Sequence, residues 1–402
     1  MKILQLTNKI PYPPKDGGAI ATLSLSLNFV KQGHQVTVLG MNTFKHFVNL
    51  DQIPESISTK IKFEEVILDT SLSYWAATKN LLFSRKPYNG ERFFSREYAN
   101  KLSQLLQSNT YDVIQLEGLY LTYFIDVIRK YSNAIISFRA HNIEHEIWGR
   151  TALQEKSLLK KIYFKILARR IRNFKLSILN KYDVLVPITF RDAEKFSELG
   201  NNKPVCVIPA GFDNEKVLAE KPIVDFPSVF FIGTLDWFPN QEGVIWFIEN
   251  VWDKILEKYP DLKFYIAGRN APLWLKKLFD KKNILFLGEV DDAYSFMNQY
   301  AIMVVPLFSG SGMRVKIIEG MALGKTIITT NLGAEGIDIK PNENIVIEDD
   351  ANGFINQLDY LIQNRELFNL IGQNASNFVK SHFDNEKITA NLIRFYQKNQ
   401  KP

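Results

Sequence analysis

Short apolar runs alternate with longer stretches whose apolar residues recur every three or four positions, and this pattern repeats twice along the chain. Runs at 2–6, 35–39, 61–67, 112–116, 134–138 and 183–188 read as buried strands, and helical spacing fills the intervals, beginning at 19–32. A stretch containing Pro222 and Pro227 reads as a linker. The alternation then resumes with strand runs at 229–233, 263–266, 284–287, 301–305, 326–329 and 345–347, and with helices over 313–323 and 388–396. Strand–helix alternation of this kind predicts two α/β halves built on parallel sheets. The expected limits are a Rossmann-like first domain over 1–208, a second over 209–384, and a terminal helix within 385–402 that packs back on the first.

Composition agrees with two real cores. The 402 residues are 46% hydrophobic and 23% charged, without the bias of a disordered chain. The single cysteine, Cys206, excludes an internal disulfide, which suits a reducing compartment. The residues after Met1 run into polar positions and prolines, unlike a signal peptide, and no apolar stretch nears the ~20 residues of a membrane span. A cytoplasmic protein is expected. The net charge of +6 is modest, but eight basic residues fall between Lys156 and Lys175 without one acid, on a segment with apolar residues at helical spacing. Such a basic amphipathic helix can pack on its own domain, or it can lie on the inner face of an anionic membrane. Nucleic acid is not an expected partner, because zinc-finger spacing and aromatic–basic single-strand signatures are both missing.

Candidate chemistry collects at loops that follow strands. Gly17-Gly18 closes a Pro-rich loop between the first strand and first helix. The stretch from Val304 to Gly320 reads as strand, Ser/Gly loop and helix, and it places Arg314 and Lys316 in the first helical turn. Two cations there oppose the helix dipole, and an anion on Gly310, Ser311 and Gly312 reverses the sign. Glu319 follows within two turns, either as an ion-pair partner of Lys316 or as an acceptor for sugar hydroxyls. Aromatic and basic residues between Tyr74 and Tyr98, among them Tyr88 and Arg92, could line an acceptor site. His141-Asn142-Ile143-Glu144-His145 is literally an H-x-x-E-H string, but it follows the 134–138 strand too closely to lie on a helix. It reads instead as a loop whose histidine and Glu144 hydrogen-bond a polar ligand.

Taken together, the Gly17-Gly18 loop, the His141 loop, the 208–213 junction, the 309–324 stretch and Gly333-Ala334-Glu335-Gly336 resemble the retaining, nucleotide-sugar-dependent glycosyltransferases of family 4 (glycosyl transferases group 1). The resemblance implies the GT-B architecture of two facing Rossmann-like domains with an interdomain cleft. It implies that Glu319 binds the nucleotide ribose, that His141 contacts the donor sugar near the reaction centre, and that Gly17, Gly18 and Gly233 approach the donor. The substrate would be a nucleoside diphosphate-sugar, with no separate cofactor and no metal, and the acceptor a glycan or lipid-linked hydroxyl. The chain departs from the family in two places. The first of its two usual glutamates is replaced by Ser311, and the basic pair usual after Gly233 is replaced by Thr234-Leu235-Asp236-Trp237-Phe238-Pro239-Asn240. Arg314 and Lys316 are the candidate substitutes, expected from the other side of the cleft. A nucleotide-sugar epimerase of the same fold and a non-catalytic sugar-nucleotide or membrane-binding subunit remain alternatives at this level.

Overall fold

The computed structural model describes residues 1–217, 224–310 and 312–400; Ser311 and the Pro222 of the expected linker lie outside them. The chain divides into two compact units, one formed by Met1–Pro209 with the segment from Glu386 onward, the other by Ala210–Asn385.

All twelve apolar runs form strands. In the first unit β1 (Lys2–Thr7), β2 (Gln35–Thr43), β3 (Ile61–Leu68), β4 (Val113–Glu117), β5 (Ile135–Ala140) and β6 (Val184–Pro187) make one parallel sheet in the order β3-β2-β1-β4-β5-β6. In the second, β7 (Asp225–Ile232), β8 (Phe264–Ala267), β9 (Ile284–Gly288), β10 (Tyr300–Val305), β11 (Thr326–Thr329) and β12 (Val346–Ile347) repeat that topology as β12-β11-β10-β7-β8-β9. Both are doubly wound Rossmann-like sheets, in which the strand order reverses between β1 and β4 and between β7 and β10. The helices that matter below are α1 (Gly17–Lys31), α2 (Tyr74–Phe83), α3 (Glu144–Gln154), α4 (Leu158–Ile178), α5 (Phe238–Phe247), α6 (Val315–Ala322) and α7 (Asn385–Asn399).

The continuous apolar runs are explained by burial on both sheet faces. Successive strand residues point to opposite sides, so Leu4, Leu39, Ile114 and Ile136 share one core with Tyr98, Phe124 and Phe196. Ile3, Val38, Val113 and Ile135 line the other face, against Leu23 and Phe29 of α1 and Ile388, Leu392 and Tyr396 of α7. The terminal helix is pinned by polar contacts as well. The Tyr396 hydroxyl donates to Gln115 Oε1 at 2.6 Å and lies 2.8 Å from Ser137 Oγ. The second unit alternates likewise, with Phe231, Ile302 and Val304 in one core and Phe230, Met303 and Val305 in the other.

Two helix starts differ from expectation. The first helix begins at Gly17, two residues early, because Asp16 caps it: its carboxylate accepts from the Ala19 N–H at 3.1 Å and pairs with Lys9. The 313–323 helix begins only at Val315, because Gly310 and Gly312 hold φ values of +96° and +83° and Arg314 stays non-helical at φ −89°, ψ 88°. Close packing sets one further limit. A Cβ on Gly243 of α5 would overlap the Pro306 carbonyl oxygen just past β10. Gly243→Ala should therefore cost roughly 1–3 kcal/mol, read as a lower urea midpoint with unchanged slope.

Candidate functional site

In the second unit the carboxyl ends of β7 and β10 are neighbours at the point of strand-order reversal, where open parallel sheets receive ligands. From β7 the chain turns at Gly233 and enters α5, where Pro239 occupies the first helical turn. The Asn240 amide donates to the Thr234 carbonyl at 2.8 Å and the Gln241 amide to the Leu235 carbonyl at 2.7 Å, so the turn is strapped to its own helix. From β10 the chain passes the glycine loop and enters α6.

The two cations reach this place differently. Arg314 is almost wholly buried, donates from Nη1 back to the Gly312 carbonyl, and lies 5.6 Å from the Trp237 ring centroid. Lys316 crosses to β7, where Nζ donates to the Ile232 carbonyl at 3.1 Å and Asn240 Oδ1 at 3.0 Å, over the Phe231 ring at 4.3 Å. A Cβ on Gly233 would meet Nζ at 3.1 Å. The expectation that the cations come from the other side of a cleft is thus corrected for both, since Arg314 lies against Trp237 of the 234–240 loop and Lys316 over the end of β7, all within one unit. Parallel pairing of β7 with β10 puts the first turn of α6 over the end of β7, and the lysine stands within the same unit, at the loop whose basic pair is missing. Burial first, and the Arg314 charge second, pull its ammonium down to about 7. Among the described residues its hydrogen bonds go to neutral acceptors, so the helix-surface pair with Glu319 does not form. Glu319 is half-buried and hydrogen-bonded by Tyr294; burial first and this carboxylate second push the Tyr294 phenol above its usual range.

In the first unit the reversal falls between β1 and β4. Gly17 and Gly18 are exposed first residues of α1, not part of the preceding loop, and a Cβ on Gly18 would meet nothing nearer than Asp16 Oδ1 at 3.5 Å. One turn further on, Thr22 Oγ1 donates to Glu117 Oε2 at 3.2 Å, and His141 Nε2 lies 2.6 Å from the same oxygen. Glu117 thus joins the glycine helix to the His141 loop. Burial would raise this carboxyl, but Arg139 at 3.9 Å, then His141 and Gln115, outweigh it and hold Glu117 at about 2. An ionised carboxylate only accepts, so the 2.6 Å contact puts a proton on His141 Nε2 and fixes the ring with its Nδ1 edge turned away from Glu117.

The acceptor-side candidates are occupied by the fold itself. Tyr88 is buried, and its hydroxyl bonds the Ser73 backbone N–H and carbonyl at 3.1 Å each; Arg92 donates to the Thr70 carbonyl at 2.6 Å. Glu144 pairs at 2.7 Å with Lys175, which is fully buried. The H-x-x-E-H string splits in the same way: His141 precedes α3 and bonds Glu117, whereas His145 lies inside the helix, where burial first and Lys175 second lower its imidazole to about 4. Sequence reasoning missed Glu117, Asn240 and Tyr294. Glu117 left a signal, an acid directly after the run Val113-Ile114-Gln115-Leu116 that reads as a buried strand.

The two doubly wound sheets are those of the GT-B fold, and the similarities of the chain support the glycosyltransferase class. Residues 226–364, within the second unit, match the family described as Glycosyl transferases group 1, and form a domain of that family. The chain is 22% identical over 409 residues to an uncharacterized 44.6 kDa protein in the cps region of Klebsiella pneumoniae, covering 98% of this chain and 99% of that one. Among solved structures it is similar to sucrose-phosphate synthase from Thermosynechococcus elongatus, at 16% identity and a TM-score of 0.71 over 99% of both chains. It is also similar to Anabaena Alr3699/HepE in complex with UDP-glucose, at 12% identity and a TM-score of 0.66 over 99% of this chain and 100% of that one.

The Glu117 contacts generate a stability test. With its carboxyl depressed from 4.5 to about 2, the group contributes stability that is complete above the unfolded value and is lost as pH falls from about 4.5 towards 2. Glu117→Gln should lose that contribution and leave Arg139 buried without its counter-charge, at a cost of roughly 3–5 kcal/mol at neutral pH. Urea unfolding of both proteins should show the gap narrowing through that acid window; a gap independent of pH would show that the charge of Glu117 is not what matters.

Proposed function

We propose that the protein transfers a sugar from a nucleoside diphosphate-sugar to a hydroxyl acceptor with retention at the anomeric carbon, in the synthesis of a cell-surface polysaccharide or glycolipid. The observation that carries this reading is the Lys316 ammonium held at the end of β7 among neutral acceptors, its charge disfavoured until an anion arrives. A diphosphate on the glycine loop would receive Lys316, Arg314 and the N–H groups opening α6, a preorganised positive potential where leaving-group charge develops. These cations take the role that a divalent metal has in other sugar transferases, so transfer proceeds with a chelator present. Glu319, oriented by Tyr294, accepts from ribose hydroxyls. In the first unit His141, oriented by Glu117, hydrogen-bonds a sugar hydroxyl, and the exposed Gly17-Gly18 backbone offers close approach. The cps-region relative and the UDP-glucose complex of the structural neighbour support the donor and pathway class.

Arg314→Ala or Lys316→Ala should each lower kcat by two to three orders of magnitude, roughly 3–4 kcal/mol of transition-state stabilisation. Turnover unchanged in the double variant sinks the diphosphate assignment. Anomer analysis of the product by NMR decides retention, and product formed from donor alone points to an epimerase. Binding carries its own pH signature. Above about 7 Lys316 is largely neutral in the free protein and must take up a proton to meet the diphosphate, so affinity for UDP-glucose, used as the probe, should weaken by up to about tenfold per pH unit. Calorimetry in buffers of different ionisation enthalpy should detect that uptake, and Lys316→Ala should abolish it.

A further inference from the structure

Helix α4 is apolar on two faces, although a packed helix needs only one. Leu167, Ile171 and Ile178 bury one face in the first unit. A second row on its first half, Leu158, Leu159, Ile162 and Ile166, stands 69%, 81%, 48% and 36% exposed. Four residues beyond Ile166, and therefore on the same side of the helix, Arg170 donates to Asn80 Oδ1 at 2.9 Å and to the Leu81 carbonyl at 2.8 Å. That clamp fixes the last turn of α2 beside the row, and α2 adds Trp75, Leu82 and Phe83, each more than two-thirds exposed. Leu153 at the end of α3 is exposed as well, where α3 folds back on α4 with Trp148 against Phe164. Monomeric proteins rarely leave so much apolar surface together without using it.

Apart from Glu155, which caps the approach to α4 through the Ser157 N–H, the charges along α2 and α4 have one sign. Lys161, Lys165, Arg169 and Arg172 recur along the flank of the exposed row, and Lys79, Arg85 and Lys86 accompany α2. No Asp or Glu occurs in 71–90 or in 156–182. A second copy is a poor occupant, because a two-fold contact would set cationic rows against each other. An anionic bilayer suits both features, with apolar side chains entering the headgroup–acyl boundary and lysines and arginines meeting the headgroups. Among the described residues no helix is long and apolar enough to cross a membrane. We propose that α2 and the first half of α4 form a docking surface on which the protein lies against an anionic bilayer without spanning it.

The test is flotation of the full-length protein with vesicles of phosphatidylcholine alone or with about one-third phosphatidylglycerol. The protein should float with the anionic vesicles, not with the neutral ones, and release as salt is raised. Lys165→Gln and Arg169→Gln should each weaken partitioning about fivefold. Leu159→Asp with Ile162→Asp should abolish it at an unchanged melting temperature, since both side chains are exposed. Failure to float, equal flotation with neutral vesicles, or variants that partition like the wild type would each overturn the proposal. So would a dimer in light scattering that Leu159→Asp dissociates, which would give the face to a second copy.

Discussion

A parallel sheet covered on both faces must put its chemistry at the strand ends, because the ladder consumes the backbone polar groups in between. Each half of this chain meets the constraint with a charged side chain set beside the point where strand order reverses. In the first unit it is the Glu117 carboxylate, closing β4; in the second it is the Lys316 ammonium, laid over the end of β7. The two are satisfied to different degrees. Glu117 has Arg139, His141, Thr22 and Gln115 around it, and its charge is stabilised well beyond that of an exposed carboxylate. Lys316 has a carbonyl, an amide oxygen and a ring, and its charge is disfavoured. A satisfied charge organises its neighbours, whereas a disfavoured one leaves the Lys316 ammonium available to the diphosphate proposed above.

That difference has a thermodynamic consequence. An unfolded chain would keep the Lys316 proton up to about 10.5, while the folded protein releases it near 7, so this residue favours the folded state more as pH rises across that interval. Below it the protein carries a buried cation that a bound anion would relieve. Sites of this kind trade stability for recognition, and the neighbourhood shows the compensation. Asn240 and Gln241 brace the Gly233 turn, Pro239 stiffens the start of α5, and Gly243 lets that helix pack against the chain after β10.

The strands were legible because their patterning is local: each of the twelve apolar runs bounded by turn residues or helical spacing became a strand. The glycine loop and the identities of its cations were legible for the same reason. What Lys316 touches was not, because its partners Ile232 and Asn240 lie 84 and 76 residues earlier in the chain and are brought to it only by the pairing of β7 with β10. The late start of α6 escaped periodicity because Arg314 sits in a helical pattern but inherits a non-helical backbone from the left-handed glycines before it. Tyr88, Arg92 and Glu144 each spend a polar group on the fold, and a sequence does not display their partners, the backbone groups of Ser73 and Thr70 and the buried Lys175.

Gly18 shows how structure narrows a sequence motif. Glycine inside a helix costs about 1 kcal/mol relative to alanine and less in the first turn, where α1 opens with two. A glycine tolerated at that cost usually answers either a left-handed backbone or a neighbour too close for a Cβ. Gly310 has the first reason and Gly243 the second. Gly18 has neither: its backbone is helical, and the space a Cβ would take is open apart from an ordinary contact with Asp16. The folded chain by itself therefore has no use for the missing side chain. The exposed start of α1 therefore leaves the backbone at Gly18 open to close approach, which is the geometric condition of the donor-facing role proposed for the Gly17-Gly18 pair.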